Sequence, residues 1–358
     1  MEYSNLFLLS FVSENLKKII ESSQITRFKT IKIVYDDFGG DPPCVYIPNR
    51  YQGNMILKFA DYPVRNLNKC FRLNLNGTMI DFGFFICPLA YGHPSEPVIE
   101  SIHNYFLDLF GSSVEYRCIT RDKLEGFLSR PRWFFTPLQN LSAIIISCNG
   151  YKEDMKELWN NLSLSPVFKH IDLSFLCPSV EDQDGLLIPR NEFTSQSEKL
   201  FSPECKIYQT ESIEISQFLI STPAVLSHFQ GKQAIIKCVK FKSSYLIEFV
   251  NKWKSGEAFQ KLEYLKIQKV GGNGTDFPQV LDKIGAKYID ASKTPPTHTL
   301  PKLHIKFHGA KLNTPPIMSY AYVVRESDNR VASVLIQGRK FKFGVWDKTE
   351  GEFLRMLE

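Results

Sequence analysis

The stretch from Gln233 to Gln268, QAIIKCVKFKSSYLIEFVNKWKSGEAFQKLEYLKIQ, constrains the chain more than any other, because it commits the backbone to two periodicities in turn. Ile235, Ile236, Cys238, Val239 and Phe241 form an apolar run broken by Lys237 and Lys240, as in a half-buried strand. Leu246, Phe249, Val250 and Trp253 then recur at helical spacing and fall on one face. Ser243 or Ser244 is suited to cap the start of that helix; Lys252, Lys254, Ser255 and Gly256 suit its end. Leu262, Leu265 and Ile267 follow as apolar-x-x-apolar-x-apolar, the spacing of a leucine-rich-repeat strand. Strand, helix and strand in this order predict a βαβ unit with parallel strands. It carries no reactive group and reads as scaffold.

Upstream, Leu6, Leu9, Val12, Leu16, Ile19 and Ile20 mark an apolar stripe over residues 4–23, with Lys17 and Lys18 turned away from it, which predicts one or two short helices. From Cys44 to Cys87 the pattern changes to short strands (CVYI, MILKFA, CFRLNLNG and MIDFGFFIC) separated by turn residues, and Asn76-Gly77 is a type I′ hairpin signal. Val98, Ile99, Ile102, Phe106, Leu107 and Phe110 predict a helix over 97–110, ended by Gly111 and followed by a strand over 113–118.

A second α/β region follows. AIIISC (143–148) has the continuous apolarity of a parallel strand buried on both faces. Met155, Leu158, Trp159 and Leu162 predict a helix, and the polar stretch 177–205 a surface loop. Ile213 and Ile215 mark a strand, 218–229 a helix with Pro223 near its start, and 280–284 a further short helix. The spacing of 262–267 recurs at 28–33, 168–173 and 300–305, and strands follow one another at the roughly 20–29 residues of a leucine-rich repeat. The predicted fold class is therefore α/β: a degenerate leucine-rich-repeat-like βα stack with a small antiparallel β insertion. A C-terminal antiparallel β cap completes it, built from 321–324, 331–336 and 341–346.

Known chemistries find little support. Gly271-Gly272-Asn273-Gly274 lacks the residues of a phosphate loop, no G-x-S-x-G is present, and Asp36-Asp37 reads as a strand end. His304 and His308 lie on the predicted strand HIKFH without a third ligand, so no metal site is expected. The eight cysteines are scattered singly, which fits reduced, mostly buried thiols. Net charge is +5 from 43 basic and 38 acidic residues, with no dense basic run, so nucleic acid is not an expected partner. Aromatics at 13% sit at helix and strand spacing and read as core. The N-terminus lacks the pattern of a signal peptide, and no apolar run approaches the ~20 residues that span a bilayer. A cytoplasmic or nuclear, non-enzymatic protein without cofactor is expected.

In YLIEFVNKWKSGEAFQKLEYLKIQ (245–268), the positions Trp253, Leu262, Tyr264, Leu265 and Ile267 resemble the nematode-expanded F-box protein family with a type-2 F-box-associated domain. AYVVRESDNRVASVLIQGRKFKFGVWD (321–347), with Arg325, Ala332 and the Val345-Trp346 pair, is similar to that family's closing hairpin, and SIHNYFLDLFGSSVEYRC (101–118) to its middle region. LFLLSFVSENLKKIIES (6–22) looks like the second half of an F-box, with no counterpart of its Leu-Pro opening helix. The resemblance implies three divisions: partial F-box helices and a first strand over 1–36, a β-rich segment with helix 97–110 over 37–140, and an F-box-associated α/β domain over 141–358. It implies a substrate-recognition subunit of a Skp-cullin-F-box-type ubiquitin ligase, holding a target protein through the C-terminal domain. Leu6, Leu8, Leu9, Phe11, Leu16 and Ile19 are then the candidates for contact with the Skp-type adaptor. A protein-interaction scaffold without ligase linkage is the alternative.

Overall fold

A computed structural model describes residues 2–29, 31–38, 43–48, 54–60, 70–84, 88–91, 95–121, 138, 140–148, 162, 167–175, 179–181, 187–189, 204–216, 222–238, 242–269, 279–305 and 311–357. The helix expected from Met155, Leu158, Trp159 and Leu162, apart from Leu162 itself, the glycine turn 271–274, His308 and most of the loop 177–205 lie outside them. The described residues are mixed α/β and fall into two compact units, one within 1–148 and one within 149–358. The strand at 141–148 thus belongs with the N-terminal helices and the β-rich segment.

The first unit opens with α1 (Tyr3–Ser10) and α2 (Glu14–Phe28), then β1 (Lys32–Phe38), β2 (Cys44–Ile47), β3 (Asn54–Ala60), β4 (Cys70–Leu75), β5 (Thr78–Phe84) and β6 (Pro88–Tyr91). It ends with α3 (Glu96–Phe110), β7 (Glu115–Arg121) and β8 (Leu141–Cys148). The strands form one sheet in the order β8-β7-β1-β2-β3-β6-β5-β4. Within it β8, β7 and β1 are parallel, and the β-rich segment continues the same sheet from β2 outward. The insertion is therefore not a separate antiparallel sheet, and β3 and β6 within it pair in parallel. Asn76 and Gly77 both take positive φ, 51° and 88°, as a type I′ turn between β4 and β5 requires. α3 stops where Gly111 takes φ 90°.

The second unit contains β9 (His170–Phe175), β10 (Ser179–Glu181), β11 (Leu187–Pro189), β12 (Ser212–Ser216), α4 (Thr222–His228), β13 (Gln233–Cys238), α5 (Ser243–Ser255) and β14 (Tyr264–Lys269). It closes with α6 (Val280–Lys283), β15 (Lys287–Tyr288), β16 (Thr297–His298), β17 (Ile317–Met318), β18 (Ala321–Val324), β19 (Arg330–Gln337), β20 (Lys340–Thr349) and α7 (Glu350–Arg355). Its main sheet runs β15-β18-β19-β20-β14-β13-β12-β9, and β9, β12, β13 and β14 are parallel. The βαβ unit β13-α5-β14 forms as its sequence predicts. The terminal strands extend this sheet edge to edge through an antiparallel β14–β20 pair, rather than closing its end as a cap.

The register explains why the sheet is asymmetric. Ile171, Ile213, Ala234, Leu265 and Phe343 form one row on one face, and Leu173, Ile215, Ile236, Ile267 and Phe341 the next. All ten are buried. α5 packs on these rows through Phe249, 5.3 Å from Phe343 between ring centroids, and through Trp253, 5.1 Å from the same ring. Burying Leu246, Phe249, Val250 and Trp253 contributes on the order of 10 kcal/mol before the entropy of ordering is subtracted. α5 starts at Ser243 without a side-chain cap, contrary to the serine capping expected, and ends on Gly256 at φ 75°.

Two of the four repeat-spaced segments, 168–173 and 262–267, lead into parallel strands of this sheet. The copy at 28–33 lies in the first unit, where Phe28 closes α2. The copy at 300–305 is not a strand: Leu303 is 44% exposed and the residue buried beside it is His304. Its side chains serve another purpose, described below.

Candidate partner-binding surfaces

The N-terminal helices form a hairpin against the first unit's sheet. Ser13 accepts a hydrogen bond from the Leu16 amide at 3.1 Å and starts α2. Inward, Phe7 is fully buried, with its ring 5.1 Å from Phe106, 6.0 Å from Tyr105 and 6.3 Å from Phe82. Leu6 is buried beside it. Phe11 covers the same aromatic cluster, 4.9 Å from Tyr105 and 5.4 Å from Phe82. Leu8, Leu9 and Leu16 are half-buried, whereas Ile19 is 59% and Val12 72% exposed.

The six adaptor-contact candidates therefore divide. Leu6 is a core residue that no partner can reach, and Phe11 is largely committed to its own unit. Leu8, Leu9, Leu16 and Ile19 present apolar surface, joined by Val12. The expectation that Lys17 turns away from the protein is overturned. Its side chain lies buried along Tyr105, with Nζ 4.7 Å from the ring centroid and 3.8 Å from Asp108. The aliphatic stem fills the groove between α2 and α3 and leaves only the ammonium at its edge. Burial pushes the Tyr105 hydroxyl up to about 12.

The second-unit residues that carry the resemblance are largely buried. Trp253, Leu262, Leu265 and Ile267 are buried on the α5 side of the sheet. Arg325 is buried too, its guanidinium 5.2 Å from the Trp253 ring centroid and held by Asp328 through bonds of 2.8 and 2.6 Å. Ala332 and Val345 are paired across β19 and β20. Trp346 donates its Nε1–H to Ser333 Oγ at 2.8 Å.

Tyr264 points the other way, into a polar row formed by His170, Ser212, Gln233, Tyr264 and Gly344. The segments 297–305 and 311–319 lie across it. Gln233 donates to the Pro301 carbonyl at 2.9 Å and accepts from the Leu303 amide at 3.2 Å. Tyr264 donates to the Pro315 carbonyl at 3.2 Å. His170 stacks on His304 at 3.9 Å and meets Ser212 Oγ through Nδ1 at 3.1 Å. His298 donates from Nε2 to the Val345 carbonyl at 3.0 Å. The histidine of the expected HIKFH strand is thus a stacking partner in a covering loop. Among the described residues no cluster of three or more His, Cys, Asp or Glu side chains is placed to hold a metal ion.

Beyond the covered row this face carries polar side chains, Ile235 apart. Asp172, Glu214, Ile235, Lys266 and Lys342 form one row, and Ser174, Ser216, Lys237, Gln268 and Lys340 the next. Apart from buried Asp172 and exposed Lys340, they are partly exposed. Burial lowers the pKa of the Lys266 ammonium, and Lys340, Lys342 and Lys237 lower it further against the opposing pull of Glu214. No family model matches the chain, and no curated protein or solved structure proves similar to it. The surfaces themselves must carry the functional reading. The apolar hairpin was visible in the sequence as a stripe. The open polar face was not, because alternation shows which side chains share a face and not which strands are neighbours.

No described helix is long and apolar enough to cross a membrane.

Proposed function

We propose that the chain is a non-catalytic substrate-recognition subunit of a Skp-cullin-F-box-type ubiquitin ligase, acting in the cytoplasm or nucleus. The hairpin α1–α2 would dock the Skp-type adaptor, and the second unit would hold the target protein. In this reading the parallel strands β9, β12, β13 and β14, neighbours in the sheet in the order in which the chain reaches them, are a degenerate leucine-rich-repeat-like stack. The mechanism is proximity: a target held near the ubiquitin-charged enzyme has its lysines at high effective concentration, and no side chain of this chain takes part in transfer.

The observation that carries the reading is the apolar surface of the hairpin. Val12, in the turn between α1 and α2, and Ile19, on α2, are exposed large hydrophobics, with half-buried Leu8, Leu9 and Leu16 on the two helices. Clustered apolar exposure of this kind marks interaction sites.

Titration calorimetry of the purified chain with the purified Skp-type adaptor tests it. Saturable binding by the native chain is expected, with a loss of about 2 kcal/mol on Ile19→Asp, as at a central interface residue. Ile19 is exposed, so the substitution leaves the melting transition in place. A folded native chain that does not bind, or binding indifferent to Ile19→Asp, rejects the adaptor-docking role and leaves a stand-alone scaffold.

A further inference from the structure

Four lysines converge on the open face of the second unit. Lys266 and Lys342 are directly opposite each other on β14 and β20. Gln268, two residues along β14, is flanked by Lys237 on β13 and Lys340 on β20. With strands about 4.8 Å apart and alternate residues about 6.8 Å apart, the four Cα atoms fit within about 12 Å. Among the described residues none of these lysines has a carboxylate in ion-pair contact, and Lys342 donates to the Pro316 carbonyl at 2.9 Å. Ion pairs elsewhere in the unit, such as Lys252–Glu248 and Lys287–Glu350, show that acids are used where neutralisation is local.

Like charges directly opposite one another on a sheet destabilise it. Burial and the neighbouring ammonium groups act against the charge on Lys266 and outweigh the support it has from Glu214, and burial together with Lys340 acts against that on Lys342. A solvated charged surface would spread these groups apart. Here strand register fixes their stems side by side on a rigid sheet, so the cluster is preorganised for an anion. The same row bounds that anion. On the far side of Ile235 stand Glu214 and Asp172, also directly opposite each other. Along the row the ammonium groups give way to Ile235 and then Glu214 within about two strand spacings, roughly 10 Å, so the basic surface is short. A short acidic stretch of polypeptide, whose alternate side chains also repeat at about 6.8 Å, meets only the lysines.

We propose that Lys237, Lys266, Lys340 and Lys342 form the docking site for a glutamate- and aspartate-rich segment of a partner protein. This deepens the reading of the second unit as the target-holding half and is independent of adaptor binding.

The test is fluorescence anisotropy of the full chain with a labelled hexaglutamate peptide, alongside a hexaglutamine control and an oligothymidylate. Saturable hexaglutamate binding is expected, weakening as salt rises. Lys266→Gln with Lys342→Gln should reduce affinity at least tenfold and leave the melting temperature unchanged or raised, because a repulsion is removed. Absence of saturable hexaglutamate binding, binding equal for the glutamine control, indifference to the double substitution, or tighter binding of oligothymidylate overturns the proposal. Adaptor titration of the same double variant keeps the two readings apart: unchanged adaptor affinity is expected whatever the peptide does.

Discussion

The guanidinium of Arg325 lies over the indole of Trp253, 5.2 Å from its centroid, and joins the turn after β18 to the last turn of α5. Arg325 is 3% exposed and closes a two-bond fork on Asp328, which is itself partly open to solvent. The fork holds Asp328 below the usual carboxylate range. Planar geometry matters on both sides, since one guanidinium stacks on a ring and spans a carboxylate at once. Removing the acid strands a buried cation. Asp328→Ala should therefore lower unfolding stability by about 2 kcal/mol. Adding Arg325→Met to it should recover part of that loss. Urea denaturation of the two single variants and the double variant measures the coupling, and strict additivity would show that the pair is not a unit.

At Gly344 the covering segment sits tight against the sheet. A Cβ there would lie 2.6 Å from Nδ1 and 2.8 Å from Cγ of His298. The ring has little room to retreat, because its Nε2–H is bonded to Val345 and its edge packs on Trp346 at 4.9 Å. Gly344→Ala should cost about 2 kcal/mol by overpacking. A melting temperature equal to that of the native chain would contradict this contact.

His298 also predicts a pH dependence. Burial lowers its pKa from the ordinary 6.5, while the bond to the Val345 carbonyl acts in the opposite direction. The folded ring therefore stays neutral where the unfolded one takes a proton. Its contribution is complete above the unfolded value of 6.5 and is lost progressively as pH falls from there towards the lower folded value. Stability of the native chain should fall between about pH 7.5 and pH 5 more steeply than that of His298→Gln. Parallel slopes in the two chains would mean that His298 is not the titrating group.

Much of the backbone was legible because local rules and tertiary packing agree. Asn76-Gly77 needed only its own conformational preference, and β13-α5-β14 only a change of period from two to 3.6. The failures have equally local causes. Leu300, Leu303 and Ile305 have the spacing of a repeat strand, yet Gln233 takes the hydrogen bonds that a neighbouring strand would need. Lys17 reads as a solvent residue by type, while its stem is long enough to bury and still deliver the charge to the edge. The lysine cluster depends on β20 pairing with β14, a contact between segments far apart in sequence. No periodicity encodes that neighbour.

Lys17 separates packing from charge. Its ammonium lies 4.0 Å from Glu21 and 3.8 Å from Asp108, distances at which pairs open to solvent contribute little. Its methylenes, in contrast, lie in the groove of the hairpin. Lys17→Met keeps the stem and discards the charge, and should change stability by less than about 0.5 kcal/mol. Lys17→Ala discards both and should cost about 1–2 kcal/mol. Thermal denaturation of the two variants in low and high salt distinguishes the cases. A larger loss for Lys17→Met than for Lys17→Ala, or a native-chain advantage that disappears in high salt, would place the contribution in the ion pairs rather than in the stem.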